Sequence, residues 1–347
     1  MPIRKPVTQR TIAKQLGVTV QTVSKAFKGK PGMAESTRQL IMQTAEKLGY
    51  FTNEQIRSLK AETISPYPNE RKRFLLVQTE ESLSYNRKLL EGLHERFASF
   101  GHQVELHRLP KSTREADMAE YIEQHGLAYA DGIFIAPSIV PKAWEQALFR
   151  LEIPTVLLNF PPPGVRVDSV IWDIYDATYQ AVAYLRSLGH RRLMYVGDTY
   201  EQRGFILRWQ AFQQALREFG ELVDPSAHSI GARTDESWID DVKSKLVRFT
   251  PTALVCGVHQ EVRAVYRLCE AIGLRVPEQL SIVGLLNEQP DGLPLFTRPL
   301  LSIRETGYRA ADRMLWRLAN PTLPHEHTRI QGEFLVGATT APYRESV

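Results

Sequence analysis

The chain has 347 residues, of which 43% are apolar and 24% charged. One hydrophobic core rarely organises a chain of this length, so we expect two or three domains. The composition excludes wholesale disorder, and no apolar run is long enough to span a bilayer. The basic amino terminus lacks an export signal, which predicts a cytoplasmic location. The two cysteines, Cys256 and Cys269, are too few for a disulfide framework and wrongly spaced for a structural zinc site.

The net charge of +4 conceals an uneven distribution. Residues 1–73 hold 14 Lys and Arg against 5 Glu, a net charge of +9, whereas the remaining residues hold 29 basic against 34 acidic side chains, a net charge of −5. A small basic domain on a mildly acidic body is typical of a polyanion-binding head joined to a regulatory or catalytic protein. A solvated basic tail is the alternative, since like charges often only hydrate a segment.

Helical patterns in the first fifty residues argue against a tail. A first helix has apolar residues at helical spacing from Ile12 to Leu16, with Thr8 as its cap and Gly17 as the left-handed turn after it. Thr19 caps a second helix, and a third apolar pattern of helical spacing follows. Two short helices around a tight turn, completed by a third, predict a helix-turn-helix domain.

A set of linked motifs runs through the same segment: Thr8, Ile12-Ala13, residues 17–24, Thr37-Arg38, Ile41 and residues 48–53. This set resembles the DNA-binding head of lactose-repressor (LacI/GalR) family regulators, with its TxxxIA start, GVSxxTVS turn, TRxxI third helix and LGYxPN exit. The departures are small: Thr19 replaces the commoner Ser, Thr11 the usual acid, and Phe51-Thr52 the usual aliphatic-Pro pair.

The resemblance assigns base contacts to the second helix. Val20 and Gln21 open that helix and Lys25 lies one turn later, at positions that reach base edges in the major groove of DNA. Gln bonds to adenine, Lys to guanine and Val contacts the methyl group of thymine. A core position is the alternative for Val20, although Val23 already supplies that contact. The side chains expected at backbone phosphates are Thr8, Thr19, Thr22 and Ser24.

Residues 53–73 form a linker. The stretch 53–60 favours a helix too short to persist alone in water, followed by polar residues and two prolines. It resembles the hinge helix that folds on the operator and pairs with its symmetry mate in the minor groove. Leu59 then matches the wedge that kinks the duplex, with Asn53 and Arg57 as further DNA contacts. Ile56 replaces a small Ala and puts close helix pairing in question, so that an ordinary flexible tether is the alternative.

From Phe74 onward, short β-type runs alternate with helical stretches. The runs are FLLV at 74, QVEL at 103, GIFIA at 132, PTVLL at 154, RLMYVG at 192, ALVCG at 253 and LSIVG at 280. Such alternation predicts parallel sheets wrapped by helices. Roughly 270 residues of this pattern exceed one core, so two doubly wound lobes with a cleft between them are expected.

Further motifs stand in the order found in the effector-binding core of the same family: LRSLGHRRLMYVG at 185, RWQAFQQAL at 208, PTALV at 251, LSIVG at 280 and PLLSIRETGYRAADRML at 299. The resemblance implies an N-terminal all-α helix-turn-helix head plus an α/β periplasmic-binding-protein-like core of two doubly wound lobes, joined by three crossovers. The expected boundaries are 1–52 for the head, 53–73 for hinge and linker, and 74–347 for the core, with lobe one near 74–169 and 300–328 and lobe two near 170–299 and 329–347.

The cleft between the lobes is the expected effector site, because ligands of open α/β sheets bind beyond the carboxyl ends of the strands. By resemblance, Arg208 grips ligand oxygens, Asn159 is a polar residue that ends a lobe-one strand, and Trp172 is an aromatic wall. A guanidinium suits a diol, carboxylate or phosphate, and a surface arginine is the alternative. The remaining cleft candidates are Glu80, His259 and Asn287.

Two family positions that commonly hold acids differ in this chain. Val258-His259 stands where Asn-Asp often follows a strand, and Leu286-Asn287 replaces an acidic pair after the next strand. The loss of these carboxylates while Arg208 is kept favours an acidic or phosphorylated effector over a simple neutral sugar.

Enzyme motifs are missing from the sequence. It has no GxGxxG after the first strand, no GxxxxGK[ST] loop, no GxSxG elbow and no HExxH helix. Residues 325–327, His-Glu-His, are interpreted as a loop because further metal ligands are not near them in sequence. His190 is interpreted as a helix-end capping residue. We therefore expect no enzyme activity, catalytic residue, metal or cofactor.

The sequence thus predicts a homodimeric transcription factor, a repressor, that binds a pseudo-palindromic operator in double-stranded DNA and responds to a small-molecule effector. No membrane partner is expected. A cytoplasmic small-molecule-binding protein with weak or vestigial DNA binding is the alternative, and an uncharacterised α/β enzyme is a third reading. Because no heptad repeat follows residue 337, a dimer is predicted rather than a tetramer.

Overall fold

The computed structural model describes residues 7–48, 50, 71–79, 84–139, 141–200, 202–231 and 237–344. These residues fall into two compact units, one that ends before Pro66 and one that begins there. Several residues singled out from the sequence lie outside the described part of the chain: Asn53, Ile56, Arg57, Leu59 and Glu80.

The first unit contains the three predicted helices, α1 (Gln9–Leu16), α2 (Val20–Phe27) and α3 (Glu35–Leu48). Their apolar sides meet in one small core, whose buried members are Ile12, Ala13, Val23, Ala26, Ile41 and Ala45. Since three of these six side chains are alanines, the helices approach one another closely. The ring centres of Phe27 and Tyr50 lie 5.2 Å apart at the edge of this core.

Side chains satisfy the backbone amides at the starts of α1 and α2. The Thr8 hydroxyl accepts a hydrogen bond from the Thr11 amide at 3.3 Å, and the Thr11 hydroxyl accepts one from the Thr8 amide at 3.2 Å. Thr19 accepts a bond from the Thr22 amide at 3.1 Å. Between the two helices, Gly17 has a φ of 65°, a conformation that glycine adopts without steric cost. The helix-turn-helix is therefore encoded by local contacts.

The second unit contains two parallel sheets. The strands of the first are β1 (Arg73–Thr79), β2 (Gln103–Leu109), β3 (Gly132–Ile135), β4 (Thr155–Leu157), β5 (Asp168–Trp172) and β10 (His327–Ile330), in the spatial order β10-β5-β4-β3-β1-β2. The helices of this first lobe are α4 (Ser84–Ala98), α5 (Met118–Gln124), α6 (Lys142–Phe149) and α11 (Ile303–Ala319). Every neighbouring strand pair in this sheet is parallel.

The second lobe is built on strands β6 (Leu193–Val196), β7 (Ala253–Cys256) and β8 (Ser281–Gly284), which lie in that order and run parallel. Its helices are α7 (Ile174–Ser187), α8 (Arg203–Glu218), α9 (Ser237–Phe249) and α10 (His259–Ala271), and an antiparallel pair is formed by β9 (Arg298–Pro299) and β11 (Phe334–Leu335). Apolar clusters cover the sheet on both sides. None of the helices in the described ranges combines the length and the apolar character needed to cross a bilayer.

Within the described residues, the chain crosses between the lobes three times, as the resemblance implies. It passes from β5 to α7 at residues 172–174, from β9 to α11 at 299–303, and from β10 to β11 at 330–334. The structure thus confirms the predicted fold class. Strands β5 and β10 were not among the predicted runs, and they carry the first sheet slightly beyond the expected lobe boundaries.

His190 caps the end of α7 as predicted, since its backbone amide donates to the Leu185 carbonyl oxygen at 3.2 Å just after the left-handed Gly189. Its ring is buried, with Nδ1 at 3.1 Å from the Thr252 hydroxyl and Nε2 at 3.0 Å from the Ala341 carbonyl oxygen. Burial lowers the pKa of His190, and the bond to Ala341 opposes this shift only in part. The neutral ring therefore ties the end of α7 to the residue before β7 and to the C-terminal segment.

A buried carboxylate links β5, α11 and the segment before β10. Asp168 has no exposed surface, and it accepts hydrogen bonds from Arg313 Nε at 2.7 Å, Arg317 Nε at 2.5 Å and the Glu326 amide at 2.9 Å. Burial alone raises the pKa of Asp168, but these bonds outweigh burial and hold it below the ordinary value. Glu326 also pairs with Arg313, and His325 Nδ1 lies 3.5 Å from Asp168. His325 and Glu326 thus belong to a structural ion network, whereas the loop interpretation is wrong for His327, which begins β10.

Asp168→Asn should lower the free energy of unfolding by about 3–5 kcal/mol at pH 7, because it leaves the buried guanidinium of Arg317 without a carboxylate and that of Arg313 with only the exposed Glu326. Urea denaturation measures this. Glu105→Gln is the control, since Glu105 is 49% exposed in its pair with Arg73 and its loss should cost about 0–1 kcal/mol. Because the pKa of Asp168 is lowered by folding, its stabilisation is present above the ordinary Asp pKa and is lost as pH falls through the folded-state value. Equal costs for the two variants at pH 7 would contradict this prediction.

Candidate DNA-contacting surface and interlobe cleft

The start of α2 lies at the surface of the head. The Val20 side chain is 41% exposed and Gln21 is exposed as well, whereas Val23 is fully buried. A core position for Val20 is therefore excluded. The exposed start of α2 presents the side-chain amide of Gln21 beside the apolar side chain of Val20. A helix of this kind fits a major groove about 12 Å wide, and these two side chains have the chemistry to read base edges there.

The predicted phosphate-contacting hydroxyls gather at the starts of two helices. Thr8 caps α1 and Thr19 caps α2, while the Thr22 hydroxyl lies 2.8 Å from that of Thr19. Ser24 is half-buried on α2. A helix amino terminus carries partial positive charge, and a capping hydroxyl that accepts a backbone bond keeps its own proton to donate. This arrangement suits binding of phosphate oxygens.

Lys25 makes a contact that the sequence does not predict. Its Nζ donates to the Gly32 carbonyl oxygen at 2.9 Å and closes the loop after α2. Arg38 supports the same loop by donating to the Lys30 carbonyl oxygen at 2.8 Å. An ammonium group has three donors, so this bond occupies one of them. Base contact by Lys25 stays a prediction, and it requires the side chain to turn away from Gly32.

The carboxyl ends of strands from both sheets border a cleft of about 350 Å³. Of the six predicted effector-contacting residues, the five that the structure describes all line it: Asn159, Trp172, Arg208, His259 and Asn287. Glu80 lies outside the described residues. The volume is that of a small-molecule site, and the walls come from both lobes. A molecule in this cleft would therefore contact both lobes at once.

Arg208 is buried in the cleft without a carboxylate partner. It is 8% exposed, its Nε has no hydrogen-bond partner, and no ion pair of Arg208 is found among the described residues. Its guanidinium lies 5.1 Å from the ring centre of Phe205. Burial lowers the pKa of Arg208, and Tyr195, Tyr85 and Glu261 oppose this shift. A surface position is excluded, and since a buried unpaired cation is costly, the site suits a ligand that brings oxygen acceptors.

Aromatic side chains form the apolar walls of the cleft. Trp172, at the end of β5, is 6% exposed and its ring centre lies 5.9 Å from that of Tyr85. Phe160 and Phe205 line the same space from the first and the second lobe. Flat apolar walls of this kind hold planar or ring-shaped ligands.

The three other predicted residues, Asn159, Asn287 and His259, differ in how many of their polar atoms already have hydrogen-bond partners in the protein. The Asn159 side chain donates to the Pro137 carbonyl oxygen and accepts from the Phe160 amide, so it mainly shapes the loop after β4. The Asn287 backbone carbonyl oxygen accepts a bond from Lys88 Nζ at 2.8 Å. His259 Nδ1 is buried and has no hydrogen-bond partner within the described chain.

The His259 ring is neutral at pH 7. Burial is the largest cause of its lowered pKa, Lys88 and Arg298 add to the effect, and Glu288 opposes it. A neutral imidazole can either donate or accept through Nδ1, depending on its tautomer. Among the residues that the sequence assigns to the cleft, His259 and Arg208 therefore have the polar atoms best placed for a ligand.

Two carboxylates that the sequence interpretation missed also line the cleft. Asp198 follows β6 and Glu261 lies in the first turn of α10, and they are 4% and 1% exposed. The two family positions lack acids as the sequence indicates, but the cleft has these two carboxylates at other positions. Asp198 could have been found, since it comes directly after a strand whose carboxyl end faces the cleft. Glu261 gives no such signal, because its position depends on where α10 begins.

Comparison with known families agrees with both units. The profile described as "Bacterial regulatory proteins, lacI family" matches residues 8–53, and that of a "Periplasmic binding protein-like domain" matches residues 182–340. The first match spans the helix-turn-helix, and the second covers most of the second lobe together with α11 and the final strands.

Curated relatives match most of the chain. The HTH-type transcriptional repressor CytR of Escherichia coli (strain K12) is 26% identical over 283 residues, which cover 81% of this chain and 80% of that protein. Catabolite control protein A of Priestia megaterium is 25% identical over 299 residues, or 85% and 86% of the two chains. The repressor PurR of Histophilus somni (strain 129Pt) is 21% identical over 335 residues, or 95% and 97%. Their names are those of transcriptional regulators, not of enzymes.

Solved structures have the same fold. A complex of the transcriptional regulator CelR with cellobiose superposes with a TM-score of 0.65 at 20% identity and covers 96% of this chain and 99% of its own. The lac repressor dimer bound to operator and the anti-inducer ONPF gives a TM-score of 0.65 at 19% identity, with coverage of 97% and 100%. The motifs, the two matching profiles and the shared architecture show that the chain is a member of the lactose-repressor (LacI/GalR) family. Its relatives in that family are DNA-binding transcriptional repressors.

Proposed function

We propose that the protein is a cytoplasmic, homodimeric transcriptional repressor that binds a pseudo-palindromic operator and is controlled by a small molecule in the interlobe cleft. The observation that carries this proposal is the exposed start of α2, with Val20 and Gln21 at its surface, on a lacI-family head. The lac repressor dimer bound to operator supports the oligomeric state by analogy. Two heads on a two-fold body read two half-sites of the operator, which explains why it should be pseudo-palindromic.

The contacts of the proposed complex divide into two kinds. Gln21 and Val20 read base edges and set the sequence preference. Lys25 joins them when its side chain releases the Gly32 carbonyl oxygen. Phosphates lie at the helix starts capped by Thr8 and Thr19 and position the head without reading sequence. The hinge contacts by Asn53, Arg57 and Leu59 remain part of the proposal through the resemblance alone.

The proposed effector combines an acidic group with hydrogen-bond donors. Arg208 favours a carboxylate or phosphate because its buried guanidinium lacks an acid partner among the described residues. Asp198 and Glu261 add acceptors for hydroxyl or amine groups, which the sequence interpretation did not include. Trp172 and Phe205 provide apolar surface for a ring. An acidic or phosphorylated metabolite that also carries hydroxyls fits these requirements.

Effector binding is coupled to DNA binding through the positions of the lobes. A ligand that contacts both walls of the cleft favours the lobe arrangement in which it binds best. That arrangement changes the spacing of the two linkers in a dimer, and hence the operator affinity. The coupling is reciprocal, so operator DNA must change the effector affinity by the same factor.

Selection of bound duplexes from a random pool by the full-length protein tests the proposed function. The expected result is one pseudo-palindromic motif, whose binding then changes on addition of at least one compound from a panel of acidic and phosphorylated metabolites. Recovery of no preferred motif, together with binding of a small molecule, would instead favour the alternative of a small-molecule-binding protein with vestigial DNA binding.

Gln21→Ala should change the base preference of the selected motif at one position in each half-site, because a bidentate base contact supplies about 1–3 kcal/mol of discrimination. Repeating the selection with the variant measures this directly. Gln39→Ala removes an exposed Gln from α3 and should leave the motif unchanged. If both variants select the wild-type motif, Gln21 does not read a base.

Arg208→Met should abolish the effector response while leaving the ligand-free protein at least as stable as the wild type. The guanidinium that holds the acidic group is removed, and so is a buried cation that lacks a carboxylate partner among the described residues. We expect effector affinity to fall by about 2–5 kcal/mol, read by calorimetry, with operator affinity retained. Arg217→Met, at an exposed position of the same helix, is the matched control. Retained effector affinity in the Arg208 variant would contradict the assignment.

A further inference from the structure

Helix α8 belongs to the second lobe, but its first residue is bound to the first lobe. Arg203 donates from Nη1 and Nη2 to the two carboxylate oxygens of Glu145, at 2.9 and 2.6 Å. Its Nε donates to the Phe160 carbonyl oxygen at 2.6 Å. Glu145 lies on α6 and Phe160 follows β4, so every one of these acceptors comes from the first lobe.

This pair uses the full geometry of the guanidinium group. Two parallel bonds to one carboxylate, with a third to a carbonyl oxygen, fix the group in both distance and orientation. The Glu145 side chain is 11% exposed and that of Arg203 27%, so the pair is largely screened from water. A buried carboxylate without its partner is unfavourable. The contact therefore stabilises the arrangement in which the lobes touch, and separation of the lobes must break it.

The residue before Arg203 makes a second contact with the first lobe. Gln202 is the N-cap of α8, and its Oε1 accepts a bond from the Ser138 hydroxyl at 2.9 Å. Ser138 in turn accepts a bond from the Tyr85 hydroxyl at 2.7 Å. Tyr85, Ser138 and Gln202 all line the cleft. The start of α8 is thus held at two consecutive residues, directly beside the ligand space.

The position of Arg208 depends on these contacts. It follows Arg203 by five residues, which corresponds to about 7.5 Å along a helix axis. Because a hydrogen-bonded helix is stiff over this length, the contacts at its start also fix where the Arg208 guanidinium lies relative to Trp172 in the first lobe. Contacts outside the ligand space therefore set the geometry inside it.

We propose that Arg203 and Glu145 form an interlobe latch, which holds the lobes together and positions Arg208 for effector binding. This proposal rests on the proposed function of the cleft as the effector site. The two latch residues are positioning residues, since neither has to touch the ligand. Breaking the latch lowers the fraction of molecules with the lobes in contact, and the apparent effector affinity falls by the same factor.

The contacts on the opposite side of the cleft are weaker candidates for a latch. Lys88 on α4 donates to the Asn287 carbonyl oxygen at 2.8 Å and lies 3.5 Å from the Glu288 carboxylate. The Glu288 side chain is 38% exposed, compared with 11% for Glu145. Exposed pairs contribute little, so the difference in burial assigns the latch to Arg203 and Glu145.

A distance measurement between the lobes tests the latch without DNA or effector. Spin labels on Ser112→Cys in the first lobe and Leu222→Cys in the second lie at exposed positions, and the native Cys256 and Cys269 are buried. Full-length labelled protein is diluted with unlabelled chain, so that pulsed electron resonance reads distances within one chain.

Arg203→Ala and Glu145→Ala should each shift the ratio of touching to separated lobes by about tenfold or more, with the larger shift for Arg203→Ala because it also loses the bond to Phe160. The double variant should shift the ratio no further than Arg203→Ala, because both single changes break the same pair. Arg203→Lys keeps the charge but loses the two parallel bonds, and should give an intermediate shift. Arg267→Ala is the control, since it removes an exposed pair with Glu270 within α10 and should leave the distances unchanged.

Distances identical to wild type in both single variants, or shifts that add in the double variant, would overturn the latch. Arg203→Lys decides the question if an alanine variant does not fold. Failure of the latch is distinguishable from failure of the proposed function. If the distances stay unchanged in the latch variants but Arg208→Met abolishes the effector response, only the latch is overturned. If the latch variants shift the distances without adding but the protein selects no duplex, the latch is supported and only the proposed function is overturned.

Discussion

The Asp168 carboxylate holds together the elements from which the chain leaves the first lobe. It opens β5, accepts bonds from Arg313 and Arg317 on α11, and is bonded to the Glu326 amide before β10. Each of these three elements borders one of the crossovers. Separating the carboxylate from the two guanidinium groups would leave buried charges without a partner of opposite sign, which is unfavourable. The cluster therefore resists rearrangement. Motion between the lobes must therefore be taken up by the short crossover segments at 172–174, 299–303 and 330–334, which is the behaviour of a hinge between two rigid bodies.

Rigid lobes give the cleft its regulatory potential, because each lobe supplies only part of the site. Trp172 and Asn159 come from the first lobe, whereas Arg208, His259 and Asp198 come from the second. The aromatic wall and the buried guanidinium are complementary to one ligand only at one separation of the lobes. Ligand affinity and lobe position are thus linked, and the proposed control of DNA binding by an effector depends on this link.

Local patterns made most of the fold predictable. The three helices of the head and the seven predicted strand runs all form, because apolar spacing, capping threonines and Gly17 act over a few residues. Strand β5 was missed because its first residue is the charged Asp168, whose partner Arg313 lies 145 positions away. The burial of His190 likewise depends on tertiary contacts. The bond from Lys25 to Gly32 depends instead on the conformation of the loop after α2, and the position of Glu261 depends on where α10 begins. Of the six predicted cleft residues, five line the cleft, and three of these (Asn159, Trp172 and Arg208) were assigned by the family resemblance. The sixth, Glu80, lies outside the described residues.

The salt dependence of DNA binding tests the central claim most directly, namely that the basic head binds duplex DNA through phosphates and bases. The account predicts that the logarithm of the affinity for a selected duplex falls linearly with the logarithm of salt concentration, with a loss of about 10³–10⁵-fold between 50 and 200 mM salt. A scrambled duplex of the same length should bind more weakly at every salt concentration. An affinity that does not vary with salt, or that is equal for the two duplexes, would contradict the account.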